Sequence, residues 1–359
     1  MNGTRSMRSL TQALTQAWNG QGGWGQAIAI ALLPVSWGFG LLVTIRRRLY
    51  QIGALQQHRL PVPVIVVGNV MVGGVGKTPI TMALVHYLSS QGLRVGVLSR
   101  GYGRKTRGIQ AVTSTSTAVE VGDEPLLMAR SCGVPVYVGS SRANAGRTLL
   151  AQHPEVQVLV CDDGLQHWQL ARDLELCVFD ERGVGNGHLL PAGPLREAWP
   201  RKAWRNTDEK APVPCLVINT TDPADANEFV VQRRLGDFAV QADGTQRPLS
   251  HWGNTPVQAW AGIAKPEVFF GMLRTQGLTL AHTHALPDHA DFEQLRVDLS
   301  QGDVLCTEKD AVKLWTHHPQ AWAVPLQITL STTLLAAIDR HLAKAQRAKL
   351  SSPHGHKTA

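Results

Sequence analysis

The sequence predicts an α/β fold: a core built on a parallel β-sheet, a second and smaller α/β region after it, and an apolar helix in front. Three observations predict this. Short uncharged runs rich in branched residues, Val64–Val67 and Val156–Cys161 among them, alternate with helical patterns. Strands buried on both faces of a parallel sheet read this way. A glycine-rich turn joins the first run to the first of these helices. Ahead of both, Ala27–Ile45 holds nineteen uncharged and mostly apolar residues.

That apolar segment is interrupted by Pro34 and followed at once by Arg46, Arg47 and Arg48. Its length just suffices to cross a bilayer as a helix. The basic cluster comes after the apolar run and no small-residue cleavage site is evident, so a secretory leader is not expected. Three placements stay open. The helix lies in the membrane interface with its arginines at headgroups, or spans once with the arginines on the cytoplasmic side, or is a buried helix of a soluble protein. Trp18, Trp24 and Trp37 suit an interface. Residues 1–50 are read as a membrane-associating segment.

The stretch Val64–Pro79, VIVVGNVMVGGVGKTP, runs strand, loop, helix. Its glycines let backbone N–H groups face a polyphosphate, and the helix start adds partial positive charge. This is the order of a P-loop NTPase-type core. Gly73, Gly74, Val75, Gly76, Lys77, Thr78 and Pro79 are the expected ATP-binding residues. Lys77 would reach the β- and γ-phosphates, and the Thr78 hydroxyl would hold Mg²⁺. The glycine usually found six positions before the lysine is Met71 here. GGVGKT resembles instead the variant loop of dimer-prone nucleotidases, whose extra signature lysine is replaced by Val72.

Beyond the loop, a helix is expected over Pro79–Gln91 and a strand over Arg94–Leu98. Ser99–Lys105, SRGYGRK, is a loop, and residues 109–121 read as β with Ser and Thr turns. Gly122–Ala129 opens a helix, with Asp123 and Glu124 in its first turn. A strand over Pro135–Val138 and a helix over Arg142–Leu150 follow. The strand Val156–Cys161 ends at Asp162-Asp163, and Leu174–Phe179 ends at Asp180. A polar stretch, Arg201–Pro212, leads into a second region. There Cys215–Thr220, Val257–Ala264 and Asp303–Val312 are expected strands with helices between them. Thr332–Lys349 is a closing helix. The expected division is a P-loop core over 51–200, a smaller α/β domain over 201–350 and a disordered tail over 351–359.

Charge is placed unevenly. No Asp or Glu precedes Glu120, while that stretch carries twelve Lys and Arg. A basic front end favours phosphates, anionic lipid or nucleic acid. With no aromatic-basic RNA signature and no helix-turn-helix pattern, nucleic acid is not expected as a partner. The five cysteines are scattered without metal-ligand spacing, which suits a reducing compartment.

A phosphate loop needs a metal-holding carboxylate at the end of a neighbouring strand, and Asp162 and Asp163 supply two. Several segments then stand in an order that closely resembles one family. They are GNVMVGGVGKTP, SRGYGRK, VGDEPLLMA, CDDGLQHWQLARDLELCVFD, RGVGNGHLLPAGPLREAW, AGIAKPEVFF, LPDHADF and CTEKDAVKL. Together, from about Arg46 to about Leu314, they resemble the tetraacyldisaccharide 4′-kinases, the lipid A 4′-kinases of Gram-negative bacteria. The resemblance implies transfer of the ATP γ-phosphate to the 4′-hydroxyl of an acylated glucosamine disaccharide 1-phosphate. It also implies attachment to the cytoplasmic face of the inner membrane and an active site between two α/β domains.

By that resemblance Asp123 is the proton acceptor and His289 of LPDHADF pairs with it from the second domain, across the cleft. Glu197 stands for a further carboxylate near metal and ATP, and Arg196 beside it meets phosphate. Arg100 and Tyr102 contact phosphate or sugar. Gln166 and His167 position the nucleotide or pack. TEKDAVK (Thr307–Lys313) marks the family without a chemistry of its own, and its Glu308, Lys309 and Asp310 are expected to form structural ion pairs. Ala290 stands where a second histidine is often found. The rival reading is a regulatory ATPase or GTPase of the metallochaperone type, which calls for Cys or His ligand pairs or an N-K-x-D motif. Neither is present. A membrane scaffold that binds nucleotide without turnover is disfavoured by Lys77, Thr78 and the paired carboxylates.

Overall fold

A computed structural model of the chain describes residues 23–207, 209–221, 228–290 and 302–350, together with residues 15, 18 and 292. The tail expected over 351–359 lies outside the described residues. In chain order the elements are α1 (Gly23–Gln51), β1 (Val64–Gly68), α2 (Lys77–Ser90), β2 (Val95–Ser99), β3 (Gln110–Ala111), α3 (Ala118–Val121), α4 (Asp123–Cys132), β4 (Val136–Val138), α5 (Arg142–Gln152), β5 (Val158–Asp162) and β6 (Leu174–Phe179). They continue with β7 (Cys215–Asn219), β8 (Phe229–Leu235), β9 (Phe238–Val240), β10 (Gln246–Pro248), β11 (Val257–Ala261), α6 (Pro266–Thr275), β12 (Leu280–Ala285), β13 (Val304–Thr307), α7 (Glu308–Leu314), β14 (Trp322–Val324), β15 (Leu326–Leu330) and α8 (Thr332–Leu350).

The chain forms two compact units, each assembled from separate runs of sequence. The first holds the described residues up to Val75, Asp163–Val230 and those from Ala336 on. The second holds Gly76–Asp162 and Val231–Leu335. Neither unit coincides with the 51–200 or 201–350 run expected from sequence. Each draws strands from distant parts of the chain, as crossover connections of parallel sheets allow.

In the first unit β6 pairs in parallel with β1 on one side and β7 on the other, and the start of β8 follows β7. β1 and β6 are buried throughout, and both are apolar apart from Glu175 in β6. α1 rests one narrow face on this unit. Ser36 Oγ donates to Leu189 O at 2.8 Å, and Gly40 leaves no room for a side chain beside Leu189. Ile30, Val35, Trp37, Leu41, Leu42 and Ile45 remain exposed. By length and composition α1 is long and apolar enough to cross a membrane.

Residues flanking the apolar run also touch the protein: Arg46 is exposed and Arg47 partly buried. Their guanidinium groups lie 5.6 Å and 5.8 Å from the ring centres of Trp168 and Trp204, and Arg47 also donates to Lys202 O. A planar guanidinium stacks well on aromatic faces, so these two arginines anchor the helix to the protein. Trp18 is likewise turned inward, its indole N–H donating to Pro191 O at 2.9 Å. Trp37 does project outward.

In the second unit β5, β2, β4 and β3 form one sheet, with β3 antiparallel at its edge. A further sheet runs in the order β10-β9-β14-β13-β11-β12, parallel from β14 to β12. Its two faces follow the period of two along each strand. Leu305 enters the core that holds Trp252, Phe270 and Trp322, covered by α6. Its neighbours Val304 and Cys306 enter the other core, with Trp260, Phe292 and Leu314 of α7. The expected strand Asp303–Val312 is therefore half right. Thr307 ends the strand and caps α7, its Oγ1 accepting from Asp310 N at 3.2 Å.

Candidate active site

The glycine-rich loop starts in the first unit and passes into the second between Val75 and Gly76. Its entry is braced by the segment that ends in Arg196 and Glu197. Met71 bridges to Leu195, Val72 N donates to Pro194 O at 2.8 Å, and Arg196 N donates to Val70 O at 2.7 Å. Asn69 O accepts from Gln166 Nε2 at 3.0 Å and from Arg196 Nη2 at 2.8 Å. Further along, Arg182 Nη2 donates to Gly74 O at 3.0 Å while the same guanidinium grips Asp180 at 2.9 Å. A peptide whose C=O is held on one side turns its N–H, here that of Val75, to the other. Sequence reading missed Arg182. Its only sequence signal was Asp180, placed at a strand end.

Asp163 pairs with Arg196 at 3.0 Å. Glu197 is buried, with Oε1 accepting from Gln166 at 2.8 Å and Oε2 from Arg201 at 3.1 Å. Arg201 continues to Glu175 at 2.7 Å, and Glu175 to Arg172 at 3.1 Å, all four side chains being nearly inaccessible. Burial lowers the Arg201 pKa, but Glu175 and Glu197 more than offset it, and the net shift is upward. Gln166 thus joins Asn69 to Glu197. His167 lends its carbonyl to Arg172 at 2.6 Å. Arg201 is the second residue missed from sequence, hidden in a stretch that reads as a polar turn.

In the second unit Gly76 precedes α2 in the left-handed conformation, φ 81°. Lys77 and Thr78 form the first turn, and Thr78 is buried. Thr81, one turn on, donates to Asp162 Oδ1 at 2.8 Å. Asp162, at the end of β5, is buried and so fixed against α2.

Asp123 opens α4. The residue before it must be glycine: Gly122 has φ 94°, and a Cβ there would stand 2.8 Å from Tyr102 O. The SRGYGRK loop therefore lies directly on the backbone that presents Asp123. Arg100 is exposed, and Tyr102 is exposed with its ring 5.1 Å from that of His289. His289 Nδ1 donates to Asp123 Oδ2 at 3.1 Å, and both residues lie in the second unit, so the pair does not join two domains as expected from sequence. Its own backbone is held by Gly262, whose O accepts from His289 N at 3.2 Å and whose N donates to Asp310 Oδ2 at 2.9 Å. A Cβ at Gly262 would meet Asp310 Oδ1 at 2.8 Å, so the AGIA turn after β11 needs glycine to bring these together.

Among the described residues, the two non-glycine positions with positive φ are Asp163 at 45° and His289 at 61°. Backbone held in this sparsely populated region gathers at functional sites. Both positions belong to the set chosen from sequence.

α7 adds two cations that sequence reading left without a role. Lys313 Nζ lies 2.8 Å from Asp123 Oδ2 and donates to Ala290 O at 2.6 Å. Lys309 Nζ lies 2.9 Å from Asp288, 3.5 Å from Glu124 and 3.4 Å from His289 Nε2. An ammonium only donates, so its approach to Nε2 suits the tautomer with hydrogen on Nδ1. Burial pushes the Asp123 carboxyl up. Hydrogen bonds from His289 and Lys313, with the Lys313 charge, outweigh this and leave it below the ordinary carboxylate value.

A parallel-sheet core with a strand, a glycine loop and a helix that opens on Lys77-Thr78 places the chain among P-loop nucleotide-binding proteins. Comparison with known proteins narrows the class. Residues 28–343 match the family model for tetraacyldisaccharide-1-P 4′-kinase. The tetraacyldisaccharide 4′-kinase of Acidovorax sp. (strain JS42) is 49% identical over 337 residues, covering 93% of this chain and 95% of that one. That of Polaromonas naphthalenivorans (strain CJ2) is 48% identical over 354 residues, covering 97% and 100%. Among solved structures, LpxK from Aquifex aeolicus in complex with ATP superposes with a TM-score of 0.74 at 27% identity, covering 89% of this chain and 99% of that one. The chain belongs to the tetraacyldisaccharide 4′-kinase family and is a kinase.

Proposed function

We propose that the chain transfers the γ-phosphate of ATP to the 4′-hydroxyl of a tetraacylated glucosamine disaccharide 1-phosphate, giving the 1,4′-bisphosphate. The observation that carries the chemistry is the Asp123–His289 hydrogen bond at 3.1 Å. A sugar hydroxyl is a poor nucleophile and must lose its proton as the P–O bond forms. Asp123, ionised by its neighbours, accepts that proton. His289 fixes which way the carboxylate points. Lys77 and the loop N–H groups offset charge on the transferring phosphoryl group. Arg100 and Tyr102 meet the sugar or its phosphate, Arg196 meets phosphate, and Gln166 and His167 support the nucleotide side.

Mg²⁺ belongs to the same reading. Thr78 and Asp162 are hard oxygen donors at the start of α2 and the end of β5, with Asp163 next in sequence and Glu197 a further carboxylate. Among the described residues there is no cluster of three or more His, Cys, Asp or Glu able to form a metal cage. Few protein ligands is the usual arrangement for Mg²⁺, which arrives with phosphate oxygens and keeps several waters. The ion, when bound, neutralises phosphate charge.

Residues 1–50 form the membrane-associating segment, 51–200 carry the phosphate loop, and 201–350 supply His289. The exposed apolar face of α1 supports association with the lipid that holds the substrate's acyl chains, at the cytoplasmic face of the inner membrane. The test is ATP-dependent transfer of labelled γ-phosphate to the tetraacyl disaccharide 1-phosphate in detergent or vesicles. A new bisphosphate product is expected. Nucleotide hydrolysis with no lipid product would overturn the reading.

A further inference from the structure

The family-marking segment TEKDAVK has a place in the structure that its sequence did not suggest. Lys309 and Lys313 are four residues apart on α7, hence on one face of that helix. The first reaches Asp288, Glu124 and His289, the second Asp123 and Ala290. Lys313 and His289 both grip Oδ2 of Asp123. Among the described residues no hydrogen bond to Oδ1 is present. Lys313 is also tied to the backbone of Ala290, which follows His289, and its ammonium lies 5.8 Å from the ring centre of Phe292. One cation therefore holds both partners of the pair: the carboxylate directly and the histidine through its own chain.

We propose that Lys313 is a positioning residue for phosphoryl transfer: it locks Asp123 through Oδ2, keeps the carboxylate ionised and leaves Oδ1 to take the hydroxyl proton. This rests on the reading of Asp123 as proton acceptor. As the hydroxyl oxygen bonds to the γ-phosphorus, the bond from that phosphorus to the β–γ bridging oxygen breaks and ADP leaves, while the hydroxyl proton passes to Oδ1 and neutralises the carboxylate, so the pair at Oδ2 need not move during the step.

The surroundings fit that role. From α7 the charged groups facing Asp123 are Lys313 and, beyond it, Lys309. From the loop after β12 they are His289 and Asp288, and from α4 itself Glu124. α2, also packed on α4, brings His86 to Cys132 rather than to Asp123. Lys309 is shared among acids, so Lys313 is the cation committed to Asp123. α7 is in turn seated by Thr307 on Asp310 and by Glu308, which accepts from Leu326 N at 3.0 Å.

The experiment measures kcat against pH for the full chain carrying Lys313→Met, Lys313→Arg or Asp123→Asn, with melting temperature and ATP binding as fold controls. Lys313→Met keeps the stem but not the charge. Its kcat is expected to fall roughly 10- to 100-fold with KM for ATP within about two-fold, and the acid limb of the profile to move to higher pH. Lys313→Arg restores the charge and is expected to return the acid limb to the parent position. Parent-like kcat and profile in Lys313→Met would overturn the proposal, as would lost activity with an unmoved limb and no rescue by arginine. If the methionine variant does not fold, Lys313→Gln is read by the same two criteria. Asp123→Asn separates the two claims. Full activity there overturns the proton-acceptor reading itself, whereas loss there beside an unaffected Lys313→Met overturns only the role of Lys313.

Discussion

Asp123 and His289, 166 positions apart in the chain, meet at 3.1 Å. The carboxylate is aimed by a histidine held in left-handed backbone, and a fixed orientation of this kind is where positioning contributes to rate.

The acid side of the pH dependence follows from Asp123. Its pKa is depressed in the folded chain, so the stability it contributes is present above the ordinary aspartate value. That stability is lost as pH falls through the depressed value. Asp123→Asn is expected to flatten the loss of melting temperature below pH about 4 relative to the parent. Parallel curves for the two proteins would show that Asp123 is not held by His289 and Lys313 in solution.

The phosphate loop is tested by Lys77→Ala. Removing one charge aimed at the transferring group is expected to lower kcat by on the order of 10²- to 10³-fold with the melting temperature unchanged. Near-parental kcat in the folded variant would remove Lys77 from the chemistry.

The two strand-end carboxylates are expected to behave differently. Asp162 is buried and bound by Thr81, whereas Asp163 is partly exposed and paired with Arg196. Asp162→Ala and Asp163→Ala should each lose activity, and at least one should need more Mg²⁺ for half-maximal rate. Mg²⁺ titrations of both variants that overlay the parent would assign both residues to structure.

The buried chain Arg172–Glu175–Arg201–Glu197 gives a stability prediction. Arg201→Met leaves Glu175 and Glu197 without their shared cation. Breaking a buried pair from one side costs about 3–5 kcal/mol. A large drop in urea midpoint is expected, with partial recovery when Glu197→Gln is added. An unchanged midpoint would mean that the network is not closed in solution.

Much of this was legible in sequence because the signals were local. The strand, loop and helix around Lys77 depend on neighbours in the chain, and so does the glycine that turns Asp123 into place. The short strands β9, β10, β14 and β15 were not legible. Each is three to five residues long and is defined by its sheet partners rather than by its own pattern. The Asp303–Val312 strand failed at Thr307, where a T-E-K-D cap outweighed the β-branched residues around it. Lys309 could be read only as one member of structural ion pairs, nothing local singled out Lys313, and Arg46 and Arg47 were read as headgroup ligands. Their partners lie more than a hundred positions away in sequence for Asp123, Trp168 and Trp204, beyond any local pattern.

The membrane helix divides into two kinds of position. Replacing Trp37, Leu41 and Leu42 with serine is expected to weaken flotation with anionic vesicles at unchanged melting temperature, since these side chains touch little of the protein. Arg47→Ala is expected to lower the melting temperature through loss of its contacts with Trp204 and Lys202. Equal flotation of the triple variant and the parent would place lipid contact elsewhere.

The most direct test is a double-mutant cycle on single-turnover transfer rates, using Asp123→Ala, His289→Ala and the double variant at saturating ATP. Each single change is expected to cut the rate by roughly 10²- to 10⁴-fold, with the double variant little slower than the poorer single, because the two residues act as one unit. Fully additive losses would contradict this and assign Asp123 and His289 independent roles.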